Sequence, residues 1–299
     1  MLVADTLLQN RYRLIQELGR GGMGAVYEAT DQRLKRRVAL KESRVKTDDL
    51  KRAFEREARL LANLNHPLIP RVIDHFSEGD GQYLVMDFLP GDDLGKMLRK
   101  RKRPFTVAQV LYWANDLLDV LEYLHTNVPP IIHKDIKPAN LKLNQKGKAV
   151  LLDFGLAKGS AGEMVTVAGD ITVPGYSLHY APLEQIQGST TTPRSDLYAL
   201  AATLYHLLTG NHPLDALTRA AAFFNNEKDP LPPILEITPK APARLASVLM
   251  QALRLKPAER PASASAMRAS LQSGTNEHQP AMREEPDDEV TIVPTDRAR

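Results

Sequence analysis

The chain has 299 residues, of which 43% are hydrophobic and 25% charged, and its formal net charge is +3. This composition is typical of a folded globular protein, and the dispersed basic residues do not favour a nucleic-acid partner. Because cysteine is absent, disulfides and thiolate metal sites are excluded, and we predict a soluble cytoplasmic protein.

The amino-terminal part of the chain is predicted to form a small antiparallel sheet. The runs YRLIQELG, GAVYEATD and RVALKES are β-prone, are separated by turns, and predict three strands. A helix is predicted next, in TDDLKRAFEREARLLANLNHP, and its apolar stripe has Glu57 in its middle. The stripe consists of Leu50, Phe54, Leu61 and Leu64. Two further strands, RVIDHFSE and QYLVMDFL, are predicted before the break at PGDDL.

The rest of the chain is predicted to be mainly helical. Helical periodicity is present in FTVAQVLYWANDLLDVLEYLH, SDLYALAATLYHLLTG and PARLASVLMQALRL. The most apolar run, LYALAATLYHLLTG, is shorter than the roughly 18 residues of a membrane span, so no span is predicted. A β-rich part followed by a helical part predicts an α+β fold with two lobes. From Gln272 onward, Glu, Asp, Pro and Thr dominate, which predicts a disordered acidic tail.

Three glycines between the first two predicted strands have the spacing GxGxxG. They are Gly19, Gly21 and Gly24, in LGRGGMGAVYEA. Glycine lets the backbone approach phosphate oxygens because no Cβ intervenes, although a motif this short also fits a simple hairpin turn. Two flanking strands argue against a dinucleotide-binding fingerprint. Val26 follows the last glycine by two residues, as in the loop that covers ATP phosphates.

A lysine on the third predicted strand is the natural partner of the glutamate in the helical stripe. Lys41 ends the run VALK, and alone it would be interpreted as a solvated edge charge. Burying Glu57 without a partner would cost free energy, so we predict that the two side chains form an ion pair. Such a pair would hold the ammonium where it can bind the α and β phosphates of a nucleotide.

Four polar residues in HKDIKPANLKL and VLLDFG complete a set that suits phosphoryl transfer. Asn140 and Asp153 supply the hard oxygen ligands that Mg²⁺ accepts. Asp135 could accept the proton of an attacking hydroxyl, and Lys137 could neutralise charge on the transferred phosphoryl group. Each motif alone also fits a turn or a solvated charge, so the prediction depends on their occurring together.

The glycine loop, VALK, HKDIKPAN, DFG and SDLYAL follow one another in the order typical of eukaryotic-type (Hanks-type) serine/threonine protein kinases. The sequence resembles bacterial members of this family from about Tyr12 to Leu271. The resemblance implies a bilobal protein-kinase-like fold for residues 1–271, with lobes at about 1–89 and 90–271, followed by the tail at 272–299. It also implies transfer of the γ-phosphoryl group of ATP to Ser or Thr hydroxyls of proteins, with Mg²⁺ as the metal cofactor or Mn²⁺ in its place. Autophosphorylation in bacterial signalling is implied as well.

The resemblance further assigns the residues that would bind ATP. They are Leu18, Gly19, Gly21, Gly22, Gly24, Val26, Ala39, Lys41, Met86, Asp87, Leu89 and Asp93. Met86 would guard the back of the adenine slot, the backbone of Asp87 and Leu89 would meet the edge of the base, and Asp93 would approach the ribose.

Four other residues are assigned positioning and structural roles by the same resemblance. Asp196 would brace the catalytic loop, and Ser177 would contact that loop near the substrate. Glu184 and Arg260 would form a buried ion pair within the helical lobe.

Two lysines depart from the pattern of the family. Lys134 stands where relatives commonly have the arginine that binds a phosphorylated loop, and lysine lacks the planar two-pronged guanidinium. Control by loop phosphorylation therefore does not follow from the resemblance. Lys142 stands where many relatives have an apolar residue beneath the adenine, and we expect its stem to cover the base with the charge turned outward.

Thr166 and Thr172 are candidate phosphorylation sites, but unmodified hydroxyls are the simpler interpretation.

Two other functions compete with an active protein kinase. A pseudokinase would bind nucleotide without turnover, but all the polar residues that catalysis needs are present. A small-molecule kinase of the same fold is disfavoured by Lys137 and by the SDLYAL helix.

The tail residues Thr291 and Thr295 could be autophosphorylated, although an inert tether is the simpler interpretation. The sequence does not specify an oligomeric state.

Overall fold

The computed structural model describes residues 2–21, 24–43, 48–153 and 177–273. Several predictions concern residues outside these ranges. They are those on Gly22, Thr166, Thr172, Thr291, Thr295 and the tail after Ser273.

The amino-terminal part of the chain forms a six-stranded antiparallel sheet with the strand order β1-β2-β3-β4-β6-β5. The strands are β1 (Leu7–Leu8), β2 (Tyr12–Gly21), β3 (Gly24–Asp31), β4 (Arg36–Ser43), β5 (Val72–Glu78) and β6 (Gly81–Asp87). The five strands predicted from alternation are therefore confirmed, although β6 ends before the predicted Leu89. The two-residue β1 was not predicted because so short a strand carries no alternation pattern.

The strand register gives the sheet two different faces. On one face a small apolar core includes Tyr12, Leu40 and Tyr83, and the ring of Phe76 stacks against both tyrosines at centroid distances of 5.7 and 5.1 Å. Residues paired directly across neighbouring strands share a face, and Val26 pairs with Lys41. Because side chains alternate along a strand, Lys41 and Leu40 point to opposite faces. The register therefore places Lys41 on the face away from this small core.

Helix α1 (Asp48–Ala62) packs its apolar stripe against the sheet. Phe54, Ala58 and Leu61 are buried, and the ring of Phe54 lies 5.6 Å from that of His75 on β5. Leu64 is also buried but follows the end of the helix. The side chains of Leu50 and Glu57 are outside the described part of the chain.

Within the described residues from 90 onward, the carboxy-terminal part of the chain is mainly helical and also forms a small β-hairpin. Its helices are α2 (Leu94–Arg101), α3 (Val107–His125), α4 (Leu183–Ile186), α5 (Pro193–Thr209), α6 (Ala216–Phe224), α7 (Ile234–Ile237), α8 (Ala243–Ala252) and α9 (Ala264–Gln272). The hairpin consists of β7 (Leu141–Leu143) and β8 (Ala149–Leu151). A β-rich part followed by a helical part confirms the predicted α+β architecture.

Helix α5 forms the centre of the helical part. All its residues from Ser195 to Thr209 are buried, which explains why its sequence is apolar on every side. Pro193 begins the helix, and Gly210 ends it in a left-handed conformation at φ 77°. In the described portion of the chain, no helix is both long and apolar enough to cross a membrane.

Candidate active site

The loop between α3 and β7 carries the predicted catalytic residues, and Asp196 holds its backbone. The carboxylate of Asp196 accepts hydrogen bonds from the backbone N–H groups of His133 at 2.8 Å and Lys134 at 3.0 Å. Asp196 is fully buried in the first turn of α5, where the helix dipole stabilises a negative charge. The predicted bracing contact is thus confirmed.

The imidazole of His133 ties the catalytic loop to the strand that leads to Asp153. Its Nδ1 accepts a hydrogen bond from the backbone N–H of Asp135, so we assign the proton to Nε2, which donates to the carbonyl of Leu152 at 3.1 Å. Complete burial lowers the pKa of His133, which is consistent with this neutral form. His133 therefore has a structural role.

Two polar side chains, those of Asn140 and Lys137, contact the carboxylate of Asp135. The side-chain amide of Asn140 donates to its Oδ2 at 2.9 Å and to its backbone carbonyl at 2.8 Å. The ammonium of Lys137 lies 3.1 Å from the same Oδ2 and donates to the hydroxyl of Ser177 at 2.9 Å. The predicted contact of Ser177 with the catalytic loop is confirmed. Lys137 thereby links the carboxylate to the stretch of chain before α4.

Asn140 and Asp153 are brought together by the β7–β8 hairpin. Leu141 pairs with Leu151, and the backbone N–H of Leu152 donates to the carbonyl of Asn140 at 2.8 Å, which extends the pairing to the residue before Asp153. Both amide hydrogens of Asn140 point to Asp135, so its amide oxygen is the atom that could bind a cation.

The two oxygen-bearing side chains suit a divalent ion that is shared with a ligand. In the described ranges, no group of three or more His, Cys, Asp or Glu residues could hold a metal by itself. Mg²⁺ usually keeps waters and binds through one or two protein oxygens together with phosphates of the substrate. Asn140 and Asp153 fit this pattern.

The amino-terminal sheet contributes Lys41 to the same place. The ammonium of Lys41 lies 3.4 Å from Oδ1 of Asp153. Both residues line a cavity of about 20 Å³, which Leu61 and Met86 also border. The predicted pairing of Lys41 with Glu57 concerns a side chain outside the described part of the chain. The contact with Asp153 nevertheless joins the sheet to the hairpin.

Two site residues have a left-handed backbone, and tertiary contacts hold one of them, Lys134. Lys134 has φ 68° and Asp153 has φ 47°, a region that non-glycine residues rarely adopt. The carbonyl of Lys134 accepts a hydrogen bond at 2.8 Å from the side chain of Gln185, and Asp196 holds its N–H. Backbone strain of this kind is common at functional sites.

The glycines of the predicted phosphate loop flank the connection between β2 and β3. A Cβ at Gly24 would lie 1.9 Å from the carbonyl oxygen of Glu42, so only glycine fits this close approach. A Cβ at Gly19 would meet no atom within 4 Å, which leaves open space beside its backbone. Gly21 pairs with Gly24 across the turn.

Three of the predicted nucleotide-site residues, Val26, Ala39 and Met86, share one face of the sheet. Ala39 pairs with Met86 and lies two residues before Lys41, so both are on the face of Lys41 and Val26. Leu18, Val26 and Met86 are half-buried and Ala39 is nearly buried. This is the exposure expected of apolar side chains that line a cleft.

The segment that follows β6 was predicted to meet the base. The carboxylate of Asp87 contacts Arg71 at 3.2 Å and Arg36 at 3.6 Å. Asp93 caps α2 by accepting from the N–H of Lys96 at 2.8 Å. Both carboxylates are therefore engaged by protein groups, and an approach of Asp93 to a ribose would compete with its capping role.

The expectation that Lys142 turns its charge outward is wrong. Its ammonium donates instead to the carbonyl of Leu89 at 2.9 Å, next to the position predicted for the base. Burial, together with the charge of Lys96, lowers the pKa of Lys142. A partly desolvated ammonium needs an acceptor, and the Leu89 carbonyl provides one.

A buried ion pair between Glu184 and Arg260 fixes α4. Glu184 accepts two hydrogen bonds from the guanidinium of Arg260, at 2.7 and 3.0 Å, and one from Ser195 at 2.8 Å. Burial alone would raise the pKa of Glu184, but the hydrogen bonds from Arg260 lower it. The predicted pair is confirmed.

Removing one partner of this pair should destabilise the fold. Arg260→Met is expected to lower the free energy of unfolding by about 3–5 kcal/mol, because it leaves the Glu184 carboxylate buried and unpaired. Urea denaturation monitored by circular dichroism would measure the change. Lys256→Met is the matched control, since its contact with Glu259 is exposed and should contribute less than about 1 kcal/mol. Equal effects of the two substitutions would contradict the structural role of the pair.

Some contacts at the site were missed by the sequence interpretation. Besides the bond from Gln185, the hydroxyl of Thr203 donates to the carbonyl of Ile136 at 3.2 Å. Tyr180 contacts two histidines, His206 and His212, that follow it by more than 25 positions in the sequence. No local pattern could have revealed these contacts, because both partners sit on elements whose packing the sequence does not specify.

Comparison with known proteins gives one consistent family. The chain matches the family model "Protein kinase domain" over residues 12–271. It is 35% identical over 291 residues to serine/threonine-protein kinase C of Synechocystis sp., which is 91% of this chain and 51% of that protein. It is 34% identical over 278 residues to serine/threonine-protein kinase PknB of Mycolicibacterium smegmatis, which is 88% of this chain and 43% of that protein.

Solved structures support the same relationship. The crystal structure of the Mycobacterium tuberculosis PknI kinase domain superimposes with a TM-score of 0.70 at 26% identity, covering 91% of this chain and 99% of that one. The apo form of PpkA-294 gives a TM-score of 0.74 at 26% identity. The chain spans about half or less of the length of the two relatives named above, whereas it covers these kinase domains almost completely.

Proposed function

Because this chain belongs to the protein kinase domain family, we propose that it transfers the γ-phosphoryl group of ATP to Ser or Thr hydroxyls of protein substrates. The reaction uses Mg²⁺, or Mn²⁺ in its place, and takes place in the cytoplasm. One geometric observation carries the proposal. Lys41 from the sheet contacts Asp153 at 3.4 Å, while the side-chain amide of Asn140, the residue directly before β7, donates to the carboxylate of Asp135 at 2.9 Å.

Asp135 is the residue that meets the attacking hydroxyl. Lys137 and Asn140 both contact its Oδ2, and these bonds fix the direction of the carboxylate. A Ser or Thr hydroxyl placed against this carboxylate would be oriented for in-line attack, and Asp135 would accept its proton.

Lys137 lies where charge changes during transfer. Its ammonium bridges Asp135 at 3.1 Å and the hydroxyl of Ser177 at 2.9 Å. A fixed cation beside the attacking group stabilises the negative charge of the transferred phosphoryl. Ser177 keeps this ammonium in place from the substrate side.

Lys41 and the glycine loop hold the nucleotide. The side chain of Lys41 reaches Asp153 from β4 and can bind the α and β phosphates, while the backbone near Gly19 is open for the approach of phosphate oxygens. Asp153 and Asn140 would hold the divalent ion. When bound, the ion neutralises phosphate charge and orients the triphosphate.

Lys142 should weaken the binding of ATP. Its ammonium already lies partly buried against the Leu89 carbonyl, and a base above it would remove more water. Lys142→Met keeps the stem and removes the charge, so it is expected to tighten ATP binding by about 1 kcal/mol, or roughly fivefold in Kd.

Calorimetric titration with a non-hydrolysable ATP analogue and Mg²⁺ would measure this change. Lys146→Met, at an exposed position in the β7–β8 turn, is the control and should bind like the wild type. Weaker binding by Lys142→Met would mean that the ammonium contacts the nucleotide favourably, contrary to this expectation.

The proposed activity is tested by incubating purified protein with γ-labelled ATP, Mg²⁺ and a generic basic protein, and then mapping labelled residues by mass spectrometry. Label on Ser or Thr is the expected result. Nucleotide binding without transfer to several substrates would support a pseudokinase instead. Label only on a small metabolite would support a small-molecule kinase.

A further inference from the structure

Four aromatic side chains meet where the segment after Ser177 packs against α5. They are His179, Tyr180, His206 and His212, and we refer to them as the histidine cluster. The ring centroids of His206 and His212 are 3.9 Å apart, and those of His179 and His212 are 4.8 Å apart. His206 is 8% exposed, whereas His179 and His212 are exposed.

A hydrogen-bond relay passes through the hydroxyl of Tyr180. This hydroxyl lies 2.7 Å from Nδ1 of His206 and 3.2 Å from Nδ1 of His212. It has one proton, so we assign its donation to the closer ring, while Nδ1–H of His212 donates to the hydroxyl oxygen. Nδ1–H of His179 donates to the carbonyl of Pro213 at 3.0 Å. In this assignment Nδ1 of His206 is unprotonated, because a proton there would break the bond from Tyr180 and leave N–H groups of both His206 and His212 facing the same hydroxyl oxygen.

Electrostatics in the cluster also oppose protonation. The pKa of His206 is lowered from 6.5 to about 4, mainly by burial and further by the charges of His212, His179 and Arg99. The pKa of His212 is lowered as well, again mainly by burial and further by the charges of His179 and Arg99. Burial raises the pKa of Tyr180 while Arg99 opposes this. At neutral pH the imidazoles of His206 and His212 and the phenol are therefore uncharged.

The cluster is joined to the catalytic loop through one turn. The backbone N–H groups of Tyr180 and Ala181 donate to the carbonyl of Ser177, at 2.8 and 3.2 Å. The hydroxyl of Ser177 accepts from Lys137, which lies 3.1 Å from Asp135. Movement of Tyr180 would therefore move the residue that holds Lys137.

We propose that His206 and His212 are positioning residues whose neutral rings hold Tyr180, and with it the Ser177–Lys137 contact, so that acid pH releases this turn and weakens the use of protein substrates. The inference rests on the proposed kinase activity. It assigns a pH-dependent role to side chains that touch neither the nucleotide nor the reacting hydroxyl.

The direction and size of the effect follow from proton linkage. A released histidine titrates near its ordinary pKa of 6.5, whereas His206 in the cluster titrates near 4. Protons therefore favour the released turn once the pH falls below 6.5, by about tenfold for each pH unit until about pH 4. Between pH 8.0 and pH 5.5, release becomes about tenfold more favourable.

The test compares KM for a Ser/Thr peptide and KM for ATP at pH 8.0 and pH 5.5. The wild type should show a rise in peptide KM of up to about tenfold, with a smaller change in ATP KM. The double variant His206→Asn/His212→Asn keeps amide groups near both Nδ1 positions but cannot titrate, so its peptide KM should depend less on pH. His66→Asn is the control, because His66 contacts Asp119 outside the cluster, and it should keep the wild-type pH dependence.

The same pH dependence of peptide KM in the wild type and the double variant would overturn the proposal. Thermal unfolding at both pH values provides a readout that needs no catalysis. The wild-type midpoint should fall more than that of the double variant on acidification, and equal falls would also overturn the proposal. Absence of transfer by the wild type at pH 8.0, with the unfolding difference present, would instead contradict the proposed kinase activity.

Discussion

Asp135→Asn is expected to lower the rate of phosphoryl transfer by about 10²- to 10⁴-fold, because the amide cannot accept the proton of the attacking hydroxyl. Asparagine has nearly the same shape, and its oxygen can still accept the bond from Asn140 that Asp135 accepts at 2.9 Å. The affinity for nucleotide should therefore stay within about twofold of the wild type. Single-turnover kinetics with γ-labelled ATP, together with calorimetric titration, would separate transfer from binding.

Asp119→Asn is the matched control for this substitution. Asp119 is an exposed carboxylate that contacts His66 and Arg268, far along the chain from the catalytic loop. It should transfer phosphate at the wild-type rate. A transfer rate of Asp135→Asn within a few-fold of the wild type would remove Asp135 from the catalytic role.

Lys41→Met is expected to reduce kcat by about 10²- to 10³-fold through loss of the cation that binds the phosphates. Methionine keeps most of the stem, which lies on β4 opposite Val26 and Leu84. The ion contact with Asp153 involves two partly exposed groups and contributes little to stability. The melting temperature should therefore change by only a few degrees.

Steady-state kinetics and a thermal melt on the same preparation would test this prediction. Lys240→Met, at an exposed position, controls for the loss of one positive charge. Near-normal turnover by Lys41→Met would contradict the assignment. A large loss of melting temperature would indicate a structural role for the lysine instead.

The strands were predictable because each one alternates side chains between two faces. β3 and β4 are eight residues long, enough for the pattern to appear. The length of α5 was also predictable. Its position at the centre of the helical part was not, because an apolar run indicates burial but does not say which elements surround it.

The candidate site was predictable where its residues are close in sequence. Asp135, Lys137 and Asn140 lie within six positions, so their contacts follow from one loop. The hydrogen bond from Lys142 to the Leu89 carbonyl spans 53 positions of the sequence. Where the Lys142 side chain points depends on which acceptor the fold places near its partly buried ammonium. The relay through Tyr180 likewise depends on how α5 packs, which no local motif specifies.

Convergence of the sheet and the hairpin on one nucleotide is tested most directly by a crystal structure with a non-hydrolysable ATP analogue and Mn²⁺, whose anomalous scattering locates the ion. The expected result is an anomalous peak between Asn140 and Asp153, with the ammonium of Lys41 on the α and β phosphates. A nucleotide bound elsewhere, or an ion that contacts neither of these side chains, would contradict the assignment of the site.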